Sequence, residues 1–474
     1  MGRLYPFTIA GQLVQPEKPV SVRCPYDGDE AGRCGDATAL ETERALEAAV
    51  GARAAMAALP AWRRAQALGA LEVALRTLQD EFVDLMVAEA GKPISAARVE
   101  VKRALLTLRT AAEEAVRIGG AVQPLDAAAG GEGRWAISRR FPIGVIAGIT
   151  PFNFPLNLVL HKLAPALASG NPIIIKASPR APLCALRLGE LALGLELPPG
   201  AVNVLSGGAM PAAQLCGDAR VAMISFTGSA AVGWELKARA ARKKVVLELG
   251  GNAANIVHSD ADLDLAAERL TAGAFSYAGQ SCISVQRVLV QRAVYDDLRG
   301  RLLVRTAQLR LGDPHDAATD VGPMINPEAA ARAMGWMKEA LAAGARAACG
   351  MKHDGAFVWP TVLENVPTDA AIWKEEAFAP VLLLRPYDQF EDALCEANAS
   401  RYGLQAGVFT RDLERAWRAF ETLEVGAVAL NEVSSWRMDP MPYGGVKESG
   451  FGREGLRSAI EEMTELRLLL LRPS

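Results

Sequence analysis

The chain has 474 residues, 50% of them hydrophobic, and a formal net charge of −3. That length exceeds one ordinary core, so two or three domains are expected, and a near balance of charge without a basic run argues against nucleic acid as a partner. Apolar runs such as 172–175 and 468–471 are too short to span a bilayer, and the N-terminal Met1-Gly2-Arg3-Leu4-Tyr5-Pro6 offers no apolar signal core, so neither a membrane nor export is expected.

In chain order, 4–37 reads as short strands and turns punctuated by Pro, Gly and Asp. An Ala-rich pattern over 40–58 predicts a helix stopped by Leu59-Pro60. Two longer helical patterns follow, over 61–90 and 94–118, broken at Gly91-Lys92-Pro93. The Gly-rich stretch 127–133 marks a loop inside 119–140, which reads as a projecting hairpin. From Pro142 onward strands (143–149, 172–176, 201–205, 221–226, 245–249) alternate with helices (156–168, 182–195, 210–216, 230–241). Continuous apolar strands alternating with helices predict an α/β fold with a parallel sheet buried on both faces. Right-handed crossovers then bring the carboxyl ends of those strands to one edge, where ligands bind. No GxGxxG fingerprint follows any of them, so pattern alone gives little for a dinucleotide. The end of the chain holds a helix and then an apolar strand, 466–471, that needs a cover. Seven cysteines without close pairing point to reduced thiols in a cytoplasmic compartment, and four scattered histidines give no metal spacing.

The stretch 245–290 carries the chemistry. A strand ends at Glu248, two glycines follow (Gly250, Gly251), and a helix over 263–274 leads to Gly279-Gln280-Ser281-Cys282. A thiolate attacks carbonyl carbon well, and a carboxylate at a strand end can act as a general base. Alone, such a Cys is more often a small core residue and such a Glu a solvated end. Flanking glycines, which let backbone approach a ligand, favour the chemical reading.

Leu247-Glu248-Leu249-Gly250-Gly251-Asn252 and Gly279-Gln280-Ser281-Cys282 resemble the glutamate and cysteine signatures of the NAD(P)-dependent aldehyde dehydrogenase superfamily. Thr150-Pro151-Phe152-Asn153-Phe154-Pro155, Lys176, Phe226-Thr227-Gly228-Ser229, Glu375-Glu376-Ala377-Phe378 and Pro442-Tyr443-Gly444-Gly445-Val446-Lys447 match in the same order, so the resemblance covers almost the whole chain. It implies a Rossmann-like cofactor domain (1–118 and 141–249), an α/β catalytic domain (250–445), an oligomerisation arm (119–140 and 463–474) and a helix returning to the cofactor domain (446–462). A homodimer or homotetramer is implied, with the apolar tail extending a neighbour's sheet.

The implied reaction oxidises a small aldehyde to its acid. Cys282 attacks the carbonyl, Asn153 and the Cys282 amide hold the oxyanion, and Glu248 activates the water that cleaves the thioester. Relatives that pass the acyl group to coenzyme A generally lack this glutamate. An acylating enzyme is therefore the alternative, and a non-catalytic scaffold would need none of the three residues. For the cofactor, Lys176 matches the adenosine-ribose contact and Ser229 the helix start suited to a pyrophosphate, with N-capping as its plainer role. Ile149, Thr150, Phe152, Gly228 and Leu249 line the path, and Glu376 and Phe378 hold the nicotinamide ribose and ring. Many NAD-preferring members carry a glutamate three positions after the lysine. Here the run is Lys176-Ala177-Ser178-Pro179-Arg180, which removes repulsion against a 2′-phosphate, so NADP is expected to be at least tolerated alongside NAD.

Arg103, Ser281, Trp436 and Arg437 are the candidate substrate contacts. Arginines at comparable places resemble those that clamp an anionic tail in semialdehyde dehydrogenases, and a guanidinium fork suits a carboxylate. An arginine on a helix or loop is as often solvated or held in an ion pair. Succinic semialdehyde-like or lactaldehyde-like substrates are the resulting expectations. His161 reads as a structural residue of its helix.

Overall fold

Apolar segments beyond 142 leave no polar side for water, and they fold accordingly. In the computed structural model, which describes residues 2–472, the strands Val145–Ile149, Ile173–Ala177 and Val202–Ser206 are buried at every position. They form an eight-stranded sheet in the order Gln12–Val14, Phe7–Ile9, Val202–Ser206, Ile173–Ala177, Val145–Ile149, Val221–Thr227, Lys244–Glu248, Gly450–Phe451. The five central strands are parallel, and only the flanking ones are antiparallel. The order in which the parallel strands are added reverses between Val145–Ile149 and Val221–Thr227, which makes a crevice at the carboxyl ends of those two strands. Helix Asn157–Ser169 follows the first of them and is buried at every residue, its polar Asn157, His161 and Lys162 included, each of which finds a hydrogen-bond partner.

A second sheet of seven strands has the order Arg346–Cys349, Thr361–Glu364, Val381–Tyr387, Val285–Gln291, Ala253–Val257, Gln405–Phe409, Ala427–Leu430. Only its first strand is antiparallel. Each sheet has its own hydrophobic core, one drawn mainly from residues before 250 and one from residues after it. Helix Leu456–Glu462 returns to pack on Asn157–Ser169.

The hairpin expected at 119–140 is present. Val122–Pro124 pairs with Trp135–Pro142, and Thr464–Leu471 adds a third antiparallel strand. Positions 473–474 of the arm lie outside the described residues. The helix expected over 61–90 is two helices, Ala61–Thr77 and Gln79–Ala90, parted at Leu78 (φ −108°, ψ 20°). Asp80 and Glu81 fall in the first turn of the second helix, where carboxylates favour a new N-terminus.

Candidate active site

Glu248 is the last residue of its strand, and backbone crosses to the second sheet through Gly250 and Gly251. Both glycines are sterically required. A Cβ on Gly251 would sit 2.3 Å from the Cys282 carbonyl oxygen, and one on Gly250 would sit 2.5 Å from Glu376 Oε2. Helix Leu263–Phe275 ends in a tight turn in which Tyr277, Ala278 and Gly279 take φ of 49°, 52° and 68°. Three left-handed residues in succession reverse the chain and deliver Cys282 back toward the crevice. Asn153 lies in the loop between strand Val145–Ile149 and helix Asn157–Ser169, and its Nδ2 donates to the Gln280 carbonyl at 3.0 Å.

These residues meet at one cavity of about 570 Å³. Cys282, Glu248, Asn153 and Ser281 line it together. So do Ile149, Thr150, Phe152, Lys176, Ser178, Pro179 and Arg180, at the ends of the first two parallel strands. Gly228, Ser229, Leu249, Glu376 and Phe378 complete that arm of the cavity. Ser229 takes the N-cap position of helix Ala230–Arg239 but makes no side-chain capping bond, so the capping role does not hold. The helix therefore presents unbonded first-turn N–H groups to the cavity. Glu376 accepts from the Gly251 amide at 3.1 Å, and burial lifts its carboxyl to about 7. Phe378 meets Phe152 edge to face at 5.9 Å. Lys176 donates to the Gly207 carbonyl at 2.8 Å, and burial lowers its ammonium to about 8.

Trp436 does not join them. Its side chain is 44% exposed and lines no part of the cavity, whereas Ser435 and Arg437 on either side both do. The turn at 434–435, closed by the Trp436 amide on the Val433 carbonyl at 3.1 Å, leaves the Trp436 side chain outside.

Around the sulfur the surroundings are dry. Burial pushes the Cys282 thiol up to about 12, although the Tyr443 hydroxyl, 3.2 Å from Sγ, works against this. Glu248 has no hydrogen-bond partner on either carboxylate oxygen, and burial, then the charge of Glu454, holds its carboxyl well above the ordinary range. Glu454 is the counterpart. Despite burial it stays below its ordinary value because Lys162 Nζ reaches it at 2.6 Å, and Lys162 also bonds Thr227 at 2.8 Å. The two buried carboxyls are thus shifted in opposite directions. Without bound ligands Cys282 is a thiol at neutral pH. Its alkylation by iodoacetamide, followed by peptide mass mapping, is therefore expected to accelerate about tenfold per pH unit from 7 to 9. A rate that levels off within that range would show a thiolate already stabilised.

Arg103 and Arg437 line the same cavity. Arg437 lies over the Tyr443 ring at 3.6 Å from its centroid, and its Nε has no partner. Arg103 is not a free fork, because Asp439 takes it bidentately at 3.0 and 2.7 Å. Sequence reasoning missed Tyr443, Asp439, Lys162, Glu454 and Arg332, the last also lining the cavity. Tyr443 had a signal, since it sits inside a quoted motif.

A profile of the aldehyde dehydrogenase family matches residues 13–469. The chain belongs to the aldehyde dehydrogenase family. Members of that family are NAD(P)-dependent oxidoreductases, and this one is an enzyme of that kind. The 3-sulfolactaldehyde dehydrogenase of Priestia aryabhattai is 46% identical over 398 residues, covering 84% of this chain and 83% of its own. Aldehyde dehydrogenase 21 from Physcomitrella patens, solved with the reaction product succinate, is 43% identical with a TM-score of 0.98 over 100% of this chain and 99% of that one. The glyceraldehyde-3-phosphate dehydrogenase of Methanocaldococcus jannaschii, solved with NADP, is 36% identical with a TM-score of 0.92 over 96% and 99%. No helix among the described residues of this aldehyde dehydrogenase is long and apolar enough to cross a membrane.

Proposed function

We propose that this aldehyde dehydrogenase oxidises a small aldehyde with an acidic tail to the corresponding acid. One observation carries the reading: a sulfur, an unbonded carboxyl and an amide donor face the same cavity that the Arg103 and Arg437 guanidiniums also line. Cys282 releases its thiol proton to solvent as it forms the carbon–sulfur bond, and the carbonyl oxygen becomes an oxyanion. The Asn153 side chain and the Cys282 amide are its donors, each such donor contributing about 3 kcal/mol to the transition state. The nicotinamide, when bound, accepts the hydride. Glu248 then takes a proton from water, which adds to the thioester carbon, and Cys282 leaves. A carboxyl with a raised pKa accepts a proton from water more readily than an ordinary one. The same carboxyl in the same cavity favours hydrolysis over transfer to coenzyme A. Succinate at the site of the moss relative and the sulfonate name of the bacterial one both support an anionic tail.

Residues that fit the dinucleotide are in place: the free helix start at Ser229, the Lys176 ammonium, and a Glu376 carboxylate that only glycine at 250 allows so close. No carboxylate lines the cavity between Lys176 and Arg180, which suits a 2′-phosphate, as does the NADP of the archaeal relative. The exposed leucines of strand Thr464–Leu471, 54% at Leu466 and 66% at Leu470, suit a covering second copy, so a homo-oligomer is part of the proposal.

An aldehyde panel assayed with both cofactors tests this. Succinic semialdehyde is expected to exceed butanal at least tenfold in kcat/KM, and Arg437→Ala to raise KM at least tenfold for the acidic substrate only. Equal effects on both substrates would remove the clamp, and a tenfold advantage of NAD over NADP would remove the cofactor reading.

A further inference from the structure

Asp439 and His161 line no part of the cavity, yet the polar contacts of Arg103 and Arg437, two of the four arginines that do, run through them. Asp439 accepts from Arg103 Nε through one oxygen (3.0 Å) and from Arg103 Nη2 through the other (2.7 Å). The second oxygen, Oδ1, also meets His161 Nε2 at 2.9 Å and Asn157 Nδ2 at 3.0 Å. On the far side of the ring, His161 Nδ1 stands 3.0 Å from Arg437 Nη2. A guanidinium can only donate, so Nδ1 must be bare and the ring proton sits on Nε2, facing the carboxylate. The ring is therefore neutral. Burial, then the Arg437 charge, keep it so by pushing its pKa below the ordinary value. Hydrogen bonds from His161 and Arg103 hold Asp439 ionised against the opposing push of burial. The remaining charge beside the ring is Glu454, whose Oε2 lies 3.8 Å from Nδ1 and whose Oε1 is bound to Lys162.

Building on the acidic-tail reading, we infer that Asp439 and His161 are positioning residues that tie Arg103 and Arg437 into one anion clamp. Two guanidiniums and one carboxylate, bridged by a neutral ring, leave a single uncompensated positive charge. A monoanionic tail neutralises it. Arg103 comes from helix Ile94–Ala115 and Arg437 from an irregular loop, so without the bridge nothing relates one to the other. Among the described residues, Arg437 makes its direct contacts with the Tyr443 ring face and the His161 nitrogen. Removing the nitrogen frees its guanidinium to rotate off the tail, and removing Asp439's charge frees Arg103.

The test compares succinic semialdehyde with butanal, an uncharged aldehyde of equal length, in full-length wild type, His161→Phe, His161→Gln and Asp439→Asn. His161→Phe and Asp439→Asn are expected to lower the acidic-to-neutral ratio of kcat/KM at least tenfold, chiefly through KM for the acidic substrate. Glutamine offers an oxygen to Arg437 and an N–H to Asp439, so His161→Gln is expected to restore the ratio to within threefold of wild type. Should Asp439→Asn not fold, the contrast between phenylalanine and glutamine at 161 decides. A wild type that does not discriminate sinks the acidic-tail reading itself. A discriminating wild type whose ratio survives His161→Phe, or is lost equally in His161→Gln, sinks the positioning pair alone.

Discussion

Glu248→Gln is expected to release one reduced nicotinamide per site and then stall. The amide has nearly the same volume but cannot accept a proton from water, and general-base assistance is worth about 10²–10⁴-fold. Since Glu248 makes no hydrogen bond, the substitution breaks none, and the fold has no reason to weaken. Thiohemiacetal formation depends on Cys282 and Asn153, so the first turnover survives while the thioester accumulates. Stopped-flow absorbance at the reduced nicotinamide band should show a burst of unit amplitude, with mass spectrometry finding the acyl group on Cys282. The pH dependence has a definite sign. Burial and the Glu454 charge hold the wild-type carboxyl above its ordinary range, so the basic form grows as pH rises through that elevated value. Steady-state turnover limited by deacylation therefore rises with pH in wild type, and the variant loses that limb. A variant that retains turnover within tenfold, with no burst, would mean that another group activates the water.

Much of this arrangement was legible because its signals are local. A strand buried on both faces reads as a near-continuous apolar run, which is why Val145–Ile149 and Ile173–Ala177, the latter interrupted by Lys176, could be read without their neighbours. Gly250 and Gly251 mark where backbone must approach Cys282 and Glu376, and the sequence shows them directly. What escaped was tertiary. The break at Leu78 separates two segments that are both good helix formers, so no residue announces it. Asp439 sits in a loop without periodicity, and its partners Arg103, Asn157 and His161 belong to helices remote in sequence. Trp436 shows the converse failure: in a loop without a period, which of three neighbours faces inward cannot be read. For Arg103 the sequence leaves an anion clamp and an ion pair equally open, because the carboxylate that decides it, Asp439, lies on another element.

The largest loss of stability is expected from Glu100→Ala. This carboxylate is fully buried with Lys92, to which Oε2 is bonded, while Oε1 accepts from the amides of Leu156 and Asn157, both at 3.0 Å. Those amides open helix Asn157–Ser169, which has no side-chain cap of its own. Alanine leaves two bare N–H groups and an unpaired ammonium in the interior, a loss of about 3–5 kcal/mol for a broken buried pair. Urea midpoints at constant slope would measure it, and a loss below about 1 kcal/mol would mean that water reaches the site. The consequence extends to chemistry through Lys92. Its ammonium lies 3.9 Å from the Phe154 ring centroid and 4.5 Å from that of Tyr277. Phe154 follows Asn153, and Tyr277 belongs to the turn that delivers Cys282, so one cation touches both loops that converge on the carbonyl. Glu100→Gln, which keeps an acceptor for the helix amides but loses the charge, is then expected to recover part of the stability. Its kcat should remain depressed, because the ammonium still lacks the partner that holds it between the two rings.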